Sequence, residues 1–282
     1  MERIKEAIKL AKQQHAKLGT IQGPGIQIAV APRGDRDGGR HAGSQRDESA
    51  ELDSLPAVKL SSQHLERNRI LTQHSEISTA APYEVLRTRI VQEMDQRSWN
   101  VVVLTSPTPR CGKTVTAINL AISIAKLPDR HVILLDLDLR RPSVTQYLGI
   151  GPGKDMQGWL RGETDLRDVL VGVEIGGLSF SVIASEDSVK NPSELIGSPE
   201  MGRLMGQLRS LSGNVVVIVD MPPVLTADDV MAFLPHADCC ILTIVENQTT
   251  EREIDACQDV LSTTNYLGCV LNMSSQAYES YY

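Results

Sequence analysis

The chain has 282 residues and a formal net charge of −7, from 28 Lys and Arg against 35 Asp and Glu. This acidic balance argues against a protein that coats nucleic acid, because the phosphate backbone would repel it. Apolar residues make up 41% of the chain, which excludes wholesale disorder, yet no apolar run approaches the roughly 20 residues that span a bilayer. Five cysteines without metal-ligand spacing fit a reducing compartment. We therefore expect a cytoplasmic protein with no nucleic-acid partner and no transmembrane segment.

The first 78 residues predict an amphipathic helix followed by a flexible linker. In residues 1–19, apolar side chains recur at helical spacing, and five Lys or Arg against two Glu leave a charge of +3. This helix either docks on its own domain or binds a partner; without Trp or Phe on its apolar face, a membrane-surface contact ranks lower. Residues 20–78 include a Gly-rich stretch of mixed charge, which cannot bury enough surface to offset its ordering entropy. Within them, the apolar island Leu55–Leu60 predicts a short strand or a partner-binding patch.

From about residue 80 onward, apolar runs rich in Val and Ile alternate with amphipathic segments, which indicates parallel strands joined by crossover helices. We expect strands at Val101–Leu104, Val132–Leu135, Leu178–Ile183, Val215–Val219, Cys240–Val245 and Cys269–Leu271. Helices are expected at Tyr83–Gln96, Lys113–Ala125, Glu200–Leu211, Ala227–Leu234 and Thr250–Leu261. The predicted fold of residues 79–272 is a doubly wound α/β domain with a mostly parallel sheet.

A phosphate-binding loop is predicted between the first of these strands and its helix. The loop ends in Gly112-Lys113-Thr114, and in such loops the backbone N–H groups face the phosphates, the Lys reaches the β- and γ-oxygens, and the Thr hydroxyl binds Mg²⁺. The tripeptide alone is a weak signal, and Pro107 stands where the usual first glycine lies. We expect nucleotide contacts from seven consecutive residues, Pro109, Arg110, Cys111, Gly112, Lys113, Thr114 and Val115.

Three carboxylates strengthen this prediction. Asp136 and Asp138 follow one apolar strand and Asp220 follows another, and ligands in open α/β sheets lie beyond the carboxyl ends of the strands. Each Asp alone could be an ordinary strand-end or capping residue, but three of them beside a Gly-Lys-Thr loop are harder to explain in that way. Carboxylates there can hold Mg²⁺ and accept a proton from a hydroxyl group. We expect Thr114, Asp220 and Asp136 at the metal.

Four segments together resemble the bacterial tyrosine autokinases (BY-kinases) of exopolysaccharide and capsule synthesis. They occur in the order and spacing of that family over roughly residues 80–282, and they are 106–114, 136–143, 191–195 and 219–225. The resemblance implies that the first, second and fourth are the Walker A, A′ and B motifs of a P-loop NTPase core. It further implies a protein-tyrosine kinase that uses ATP and Mg²⁺ and phosphorylates tyrosines in a C-terminal cluster.

The resemblance also implies roles for residues and partners. Lys113, Asp136, Asp138 and Asp220 become the catalytic set, with Asp136 accepting the tyrosine proton and Asp138 supporting the metal shell, although these two roles could be exchanged. The implied partner is a membrane-spanning polysaccharide co-polymerase (Wzz-like), which would hold the protein at the inner face of the plasma membrane. Phosphorylation in trans requires that the chain also associates with itself.

The tail at residues 273–282 supports the same interpretation independently. Of six tyrosines in the chain, Tyr278, Tyr281 and Tyr282 lie within the last five residues. Solvated chain ends normally lack aromatic residues, so a merely frayed end is the weaker explanation. We expect these three hydroxyls to be the phosphoryl acceptors.

The chain departs from the family at several positions, which keeps alternatives open. Arg110 stands where the family usually has Gly, and either strains the loop by about 1 kcal/mol or supplies positive charge to the phosphates. Cys111 replaces a residue that is often acidic. In the helix at residues 81–87, the ring-assembly pattern Glu-x-x-Arg-x-x-Arg of the family is only partly present, with Arg87 in place, so the octameric ring of the family does not carry over to this chain.

The alternative function is a regulatory P-loop ATPase that phosphorylates no protein. A partition or division-site ATPase would place a second Lys at position 108, where this chain has Thr108. An assembly factor of polysaccharide export, which binds nucleotide without catalysis, fits the substituted loop and ring pattern.

Overall fold

The computed structural model describes residues 20–23, 26–30, 57–151, 156–185, 187–211 and 214–275. Ten strands within these residues form one sheet, in the order β1-β2-β10-β9-β4-β8-β5-β7-β6-β3. The strands are β1 (Thr20–Gly23), β2 (Ile26–Val30), β3 (Ala57–Lys59), β4 (Val101–Thr105), β5 (His131–Asp136), β6 (Val171–Ile175), β7 (Leu178–Ile183), β8 (Val215–Asp220), β9 (Cys239–Val245) and β10 (Asn265–Asn272).

The centre of the sheet is parallel. Strands β9, β4, β8, β5 and β7 run side by side in one direction, and β4 and β8 are buried along their whole length. Their Val- and Ile-rich sequences follow from burial on both faces. The register pairs Leu104 and Asp136 with Asp220, on either side of β8. The ends of three neighbouring strands, and the loops that leave them, therefore meet at one edge.

Helices cover both faces of the sheet. They are α1 (Ser62–Arg67), α2 (Ile77–Arg97), α3 (Lys113–Ala125), α4 (Val144–Leu148), α5 (Met156–Leu160), α6 (Leu166–Val169), α7 (Pro192–Ile196), α8 (Pro199–Ser210), α9 (Asp229–Phe233) and α10 (Glu251–Leu261). Helices α1 to α4 pack in one core with Val102 and Leu104, and α5 to α10 pack in a second core with Val101 and Val103. The alternation along β4 places a core on each face, which confirms the doubly wound α/β fold.

The elements predicted between residues 83 and 271 are all present. The six predicted strands correspond to β4, β5, β7, β8, β9 and β10, and the helix predicted at Lys113–Ala125 has those bounds. Helix α2 begins at Ile77, six residues before the predicted start, and continues through Pro82. The sequence pattern missed β6, whose antiparallel pairing with β7 closes a hairpin at Gly176 and Gly177. None of the described helices has both the length and the apolarity needed to cross a membrane.

The predicted linker at residues 20–78 is wrong for its last third. Residues 57–78 contain β3, which pairs with β6, and α1, which buries Leu65. The following residues Ile70 and Leu71 are also buried, and the Leu71 backbone N–H donates to Asn119 Oδ1 on α3 at 2.8 Å. A few well-placed apolar residues fix this segment, although its average composition is polar. Strands β1 and β2 also fall within the predicted linker, whereas the predicted helix at residues 1–19 lies outside the described residues.

Candidate active site

The loop between β4 and α3 has the backbone conformation of a phosphate-binding loop. Gly112 has a φ of 77°, and a Cβ at this position would collide with the side-chain amide of Asn272. Arg110 has a φ of 68°. A positive φ is unfavourable for a residue with a Cβ, so the backbone strain predicted for this position is present. The helix begins at Lys113, and the N–H groups of its first turn face the end of the loop. N–H groups at the start of a helix favour the binding of an anion at this end of the loop.

Lys113 is held between two of the predicted carboxylates. Its Nζ lies 2.7 Å from Asp138 Oδ2 and 3.3 Å from Asp220 Oδ1, and the side chain is almost completely buried. Burial alone would lower the pKa of Lys113, but the carboxylates of Asp220 and Asp138 outweigh that effect and raise it. The ammonium group therefore stays charged at the mouth of the loop.

Thr114 and Asp220 form a compact pair of oxygen donors. The Thr114 hydroxyl donates to Asp220 Oδ2 at 2.6 Å, and the Ser143 hydroxyl lies 3.4 Å from Thr114 Oγ1. Burial raises the pKa of Asp220, against the opposing effects of Lys113 and Thr114. Hard oxygen ligands of this kind suit Mg²⁺. In the described part of the chain, no cluster of three or more His, Cys, Asp or Glu side chains could hold a metal ion unaided.

Asp136 organises the loop that follows β5. It is fully buried, and its Oδ2 accepts hydrogen bonds from the backbone N–H groups of Ser143 and Val144, both at 3.0 Å. Its Oδ1 accepts from the backbone N–H of Asp138 at 3.1 Å. Burial, together with the charge of Asp220, raises the pKa of Asp136 to about 7. The structure thus brings Asp136 to the predicted site, but behind Asp138 rather than facing solvent.

The remaining predicted loop residues divide into outward and inward positions. Pro109 and Arg110 are exposed, whereas Cys111 is buried and its thiol donates to the Thr108 carbonyl at 3.1 Å. Val115 is half-buried in the first turn of α3. The Cys111 thiol points into the loop, where its hydrogen bond takes the place of contact with solvent.

Three contacts at this edge have no counterpart in the sequence analysis. Arg140 makes two hydrogen bonds with the buried carboxylate of Asp229, at 2.8 and 3.0 Å. Asn272 Nδ2 donates to the carbonyl oxygen of Cys111 at 3.1 Å. Beyond it, the Ser275 hydroxyl donates to Glu246 at 2.9 Å. Asn272 is the last residue of β10, and no local sequence pattern distinguished it.

The C-terminal segment leaves the sheet beside this site. Strand β10 ends at Asn272, one residue beyond the predicted strand Cys269–Leu271, and Asn272 contacts the phosphate loop. The predicted acceptors Tyr278, Tyr281 and Tyr282 lie outside the described residues. The segment that leads to them therefore starts at the edge that holds Lys113 and the carboxylates.

In sequence, this chain is similar to bacterial tyrosine-protein kinases. No protein-family model matches the chain. It is 33% identical over 144 residues to the tyrosine-protein kinase Ptk of Acinetobacter johnsonii, which covers 51% of this chain and 19% of that protein. It is 27% identical over 210 residues to the tyrosine-protein kinase YwqD of Bacillus subtilis, which covers 74% of this chain and 86% of that protein. The chain spans about a fifth of the length of the curated relatives that it matches at 33 to 35% identity.

The fold comparison agrees with the sequence comparison. The kinase domain of the Escherichia coli tyrosine kinase Etk superimposes with a TM-score of 0.64 at 25% identity, over 85% of this chain and 100% of that domain. In sequence and in fold, the α/β domain of this chain is related to the kinase domains of bacterial tyrosine kinases.

Proposed function

We propose that this chain is an ATP-dependent protein-tyrosine autokinase that regulates the synthesis and export of an exopolysaccharide or capsule. The observation that carries the proposal is the cluster of Lys113, Thr114, Asp138 and Asp220 at the end of a phosphate loop, with contacts of 2.6 to 3.3 Å. The kinase names of the relatives support the assignment of the reaction.

The residues of the site suit a nucleotide with Mg²⁺. The N–H groups at the start of α3 would bind the phosphates, and Lys113 would neutralise their β- and γ-oxygens. Thr114 and Asp220 would hold Mg²⁺ together with phosphate oxygens and water, with Asp136 behind them, since Mg²⁺ in such sites keeps several waters. The bound metal would supply neutralisation of the charge that develops on the transferred phosphoryl group.

Two carboxylates are candidates for the general base. Asp136 has a pKa of about 7, which suits proton transfer near neutral pH, but both its oxygens accept backbone hydrogen bonds and the residue is fully buried. Asp138 is more accessible and touches Lys113. We therefore favour the exchanged assignment, in which Asp138 receives the tyrosine proton and Asp136 positions the loop that carries it.

The phosphoryl acceptors in this proposal are Tyr278, Tyr281 and Tyr282 of a second copy. The Ser275–Glu246 hydrogen bond fixes the start of the tail, and the seven residues beyond it reach at most about 25 Å when extended. Each phosphate adds about −1.5 to −2 charges, which the acidic catalytic edge would repel. Successive phosphorylation would therefore loosen the contact between copies.

The proposed partner is a membrane-spanning polysaccharide co-polymerase. The segment at residues 1–19, amphipathic in sequence and charged by +3, is the part of the chain that we assign to docking. Such a contact would place the kinase peripherally at the inner face of the plasma membrane.

Incubation of the full chain with Mg²⁺ and γ-labelled ATP tests the proposal. We expect the label on protein, and mass spectrometry should find phosphate on the peptide with Tyr278, Tyr281 and Tyr282. Lys113→Ala should abolish both, whereas Lys126→Ala, which removes a surface ion pair with Glu84, should change neither. Label only in free phosphate would instead support the regulatory ATPase, and no turnover with retained binding would support the assembly factor.

A further inference from the structure

Arg110 has a backbone conformation that a glycine would adopt without cost. Six described residues other than glycine have a positive φ, and among them Arg110, at 68°, is the one in the phosphate loop. The left-handed region is unfavourable for a residue with a Cβ. Strained residues of this kind concentrate at functional sites, so the conformation of Arg110 points to a role for its side chain.

The Arg110 side chain is exposed to solvent. Within the described residues, its guanidinium makes no hydrogen bond or ion pair. Two other cations near the site are engaged, because Lys113 contacts Asp138 and Asp220, and Arg140 contacts Asp229, whereas the exposed Arg141 lies on the loop after β5 and not on the phosphate loop. Arg110 therefore holds its charge at the mouth of the loop without a protein partner.

The charge balance of the site favours a second cation. Three carboxylates, Asp136, Asp138 and Asp220, surround the single ammonium of Lys113. A nucleotide adds further negative charge, and Lys113 is already shared between two carboxylates. A guanidinium on the loop itself would offset part of this repulsion, and its planar fork suits phosphate oxygens.

We propose that Arg110 is a phosphate-binding residue, which contacts the phosphate groups of a bound nucleotide from the exposed side of the loop. Lys113 acts from the buried side. This inference rests on the proposed nucleotide site, and it explains why the loop keeps a side chain where its backbone favours glycine. The strain is the cost of presenting the guanidinium at that position.

Affinity measurements with the full chain test the role of the charge. Arg110→Gln keeps the Cβ and the strained backbone but removes the charge. We expect it to weaken binding of fluorescent Mg-ATP and Mg-ADP analogues by roughly tenfold, with a smaller effect at high salt. Adenosine, which lacks phosphates, should compete equally well in both proteins. Arg110→Lys should recover part of the loss.

A second arginine provides a matched control for the backbone. Arg69 is also exposed, and its φ of 61° lies in the same region, but it is on the turn after α1. Arg69→Gly and Arg110→Gly relieve the same kind of strain, and we expect neither to lower the melting temperature of the nucleotide-free protein. Only Arg110→Gly should weaken Mg-ATP binding.

The outcomes separate this inference from the proposed function. If the wild-type chain fails to bind Mg-ATP, the proposed function is refuted. If the wild type binds and Arg110→Gln binds equally well, or if adenosine loses affinity to the same extent, Arg110 is not a phosphate-binding residue and the site stands without it. If Arg69→Gly weakens Mg-ATP binding as much as Arg110→Gly does, the effect of the glycine variants comes from the backbone. That result would overturn the inference as well.

Discussion

Asp136 makes the stability of the domain depend on pH. Its pKa is about 7 in the folded protein, against an ordinary value of 3.8, so the folded state binds a proton that the unfolded state has released between those pH values. Its contribution to the free energy of unfolding therefore falls as pH rises from about 4 to about 7. The cause is a buried carboxylate close to Asp220, which is favourable only while one of the two carries a proton.

Asp136→Asn should remove this dependence. We expect the free energy of unfolding of the variant to rise relative to wild type between pH 4 and pH 7, by on the order of 2 kcal/mol. Denaturant titrations of the nucleotide-free protein at several pH values measure the difference. Asp255→Asn, at an exposed position on α10, should track wild type throughout, and a variant at position 136 that also tracks wild type would contradict the assignment of the pKa.

Individual residues of the site were predictable to different degrees. Lys113, Thr114 and Asp220 follow from a Gly-Lys-Thr loop and an apolar strand that ends in Asp, because parallel strands place these ends together. Which of Asp136 and Asp138 receives the proton and which positions the loop was not predictable, since this depends on which of the two side chains the loop turns inward. Asn272 and Asp229 were missed because each binds a partner at least 89 residues away in sequence, which no local pattern shows.

At the scale of elements, Arg140 connects two loops that carry the site. It lies just after Asp138, and its partner Asp229 begins α9, which follows the loop leaving β8 and Asp220. Asp229 is buried and accepts both hydrogen bonds at 2.8 and 3.0 Å. The pair therefore fixes the distance between the two carboxylate-bearing loops.

Arg140→Ala should leave the Asp229 carboxylate buried without its partner. Because the arginine is partly exposed, we expect a loss of about 2 kcal/mol of unfolding free energy rather than the larger cost of a fully buried pair. Arg130→Ala breaks a comparable two-oxygen contact with the more exposed Asp95 and should cost less than about 1 kcal/mol. If chemical denaturation shows that Arg140→Ala and Arg130→Ala lose the same unfolding free energy, the prediction is wrong, because Asp229 is then readily hydrated once its partner is removed.

Elements in the core region were predicted well because their periodicity is strong, whereas the segment before α2 was not. The apolar island Leu55–Leu60 indicated a short strand as one of two alternatives, and β3 lies within it. Helix α1 has only six residues, too few for a periodic signal to appear. Their stability comes from tertiary contacts, such as Leu65 in the core and the hydrogen bond from Leu71 to Asn119. Average composition describes such a segment poorly.

At the scale of the whole molecule, truncation separates the docking segment from the fold. Deletion of residues 1–19 removes none of the described strands or helices, so we expect unchanged melting temperature and Mg-ATP affinity. Deletion of residues 1–75 removes β1 to β3 and α1 together with the buried side chains of Leu65, Ile70 and Leu71, and so exposes the part of the core against which they pack. The longer deletion should yield an aggregating or strongly destabilised protein in thermal melts and size-exclusion chromatography. A stable, nucleotide-binding product of that deletion would restore the view of residues 20–78 as a linker.

The hydrogen bond from Asn272 to the Cys111 carbonyl has a consequence for local unfolding. It joins the end of β10 to the phosphate loop, and β10 in turn pairs with β2, which pairs with β1. A ligand that orders the loop should therefore suppress opening of this whole margin of the sheet, because the three strands and the loop would open as one cooperative unit. Amide hydrogen exchange should slow not only at residues 110–115 but also along Asn265–Asn272 and Ile26–Val30 when Mg-ATP binds. In Asn272→Ala, Mg-ATP should still slow exchange in the phosphate loop, but it should no longer slow exchange along β10 and β2.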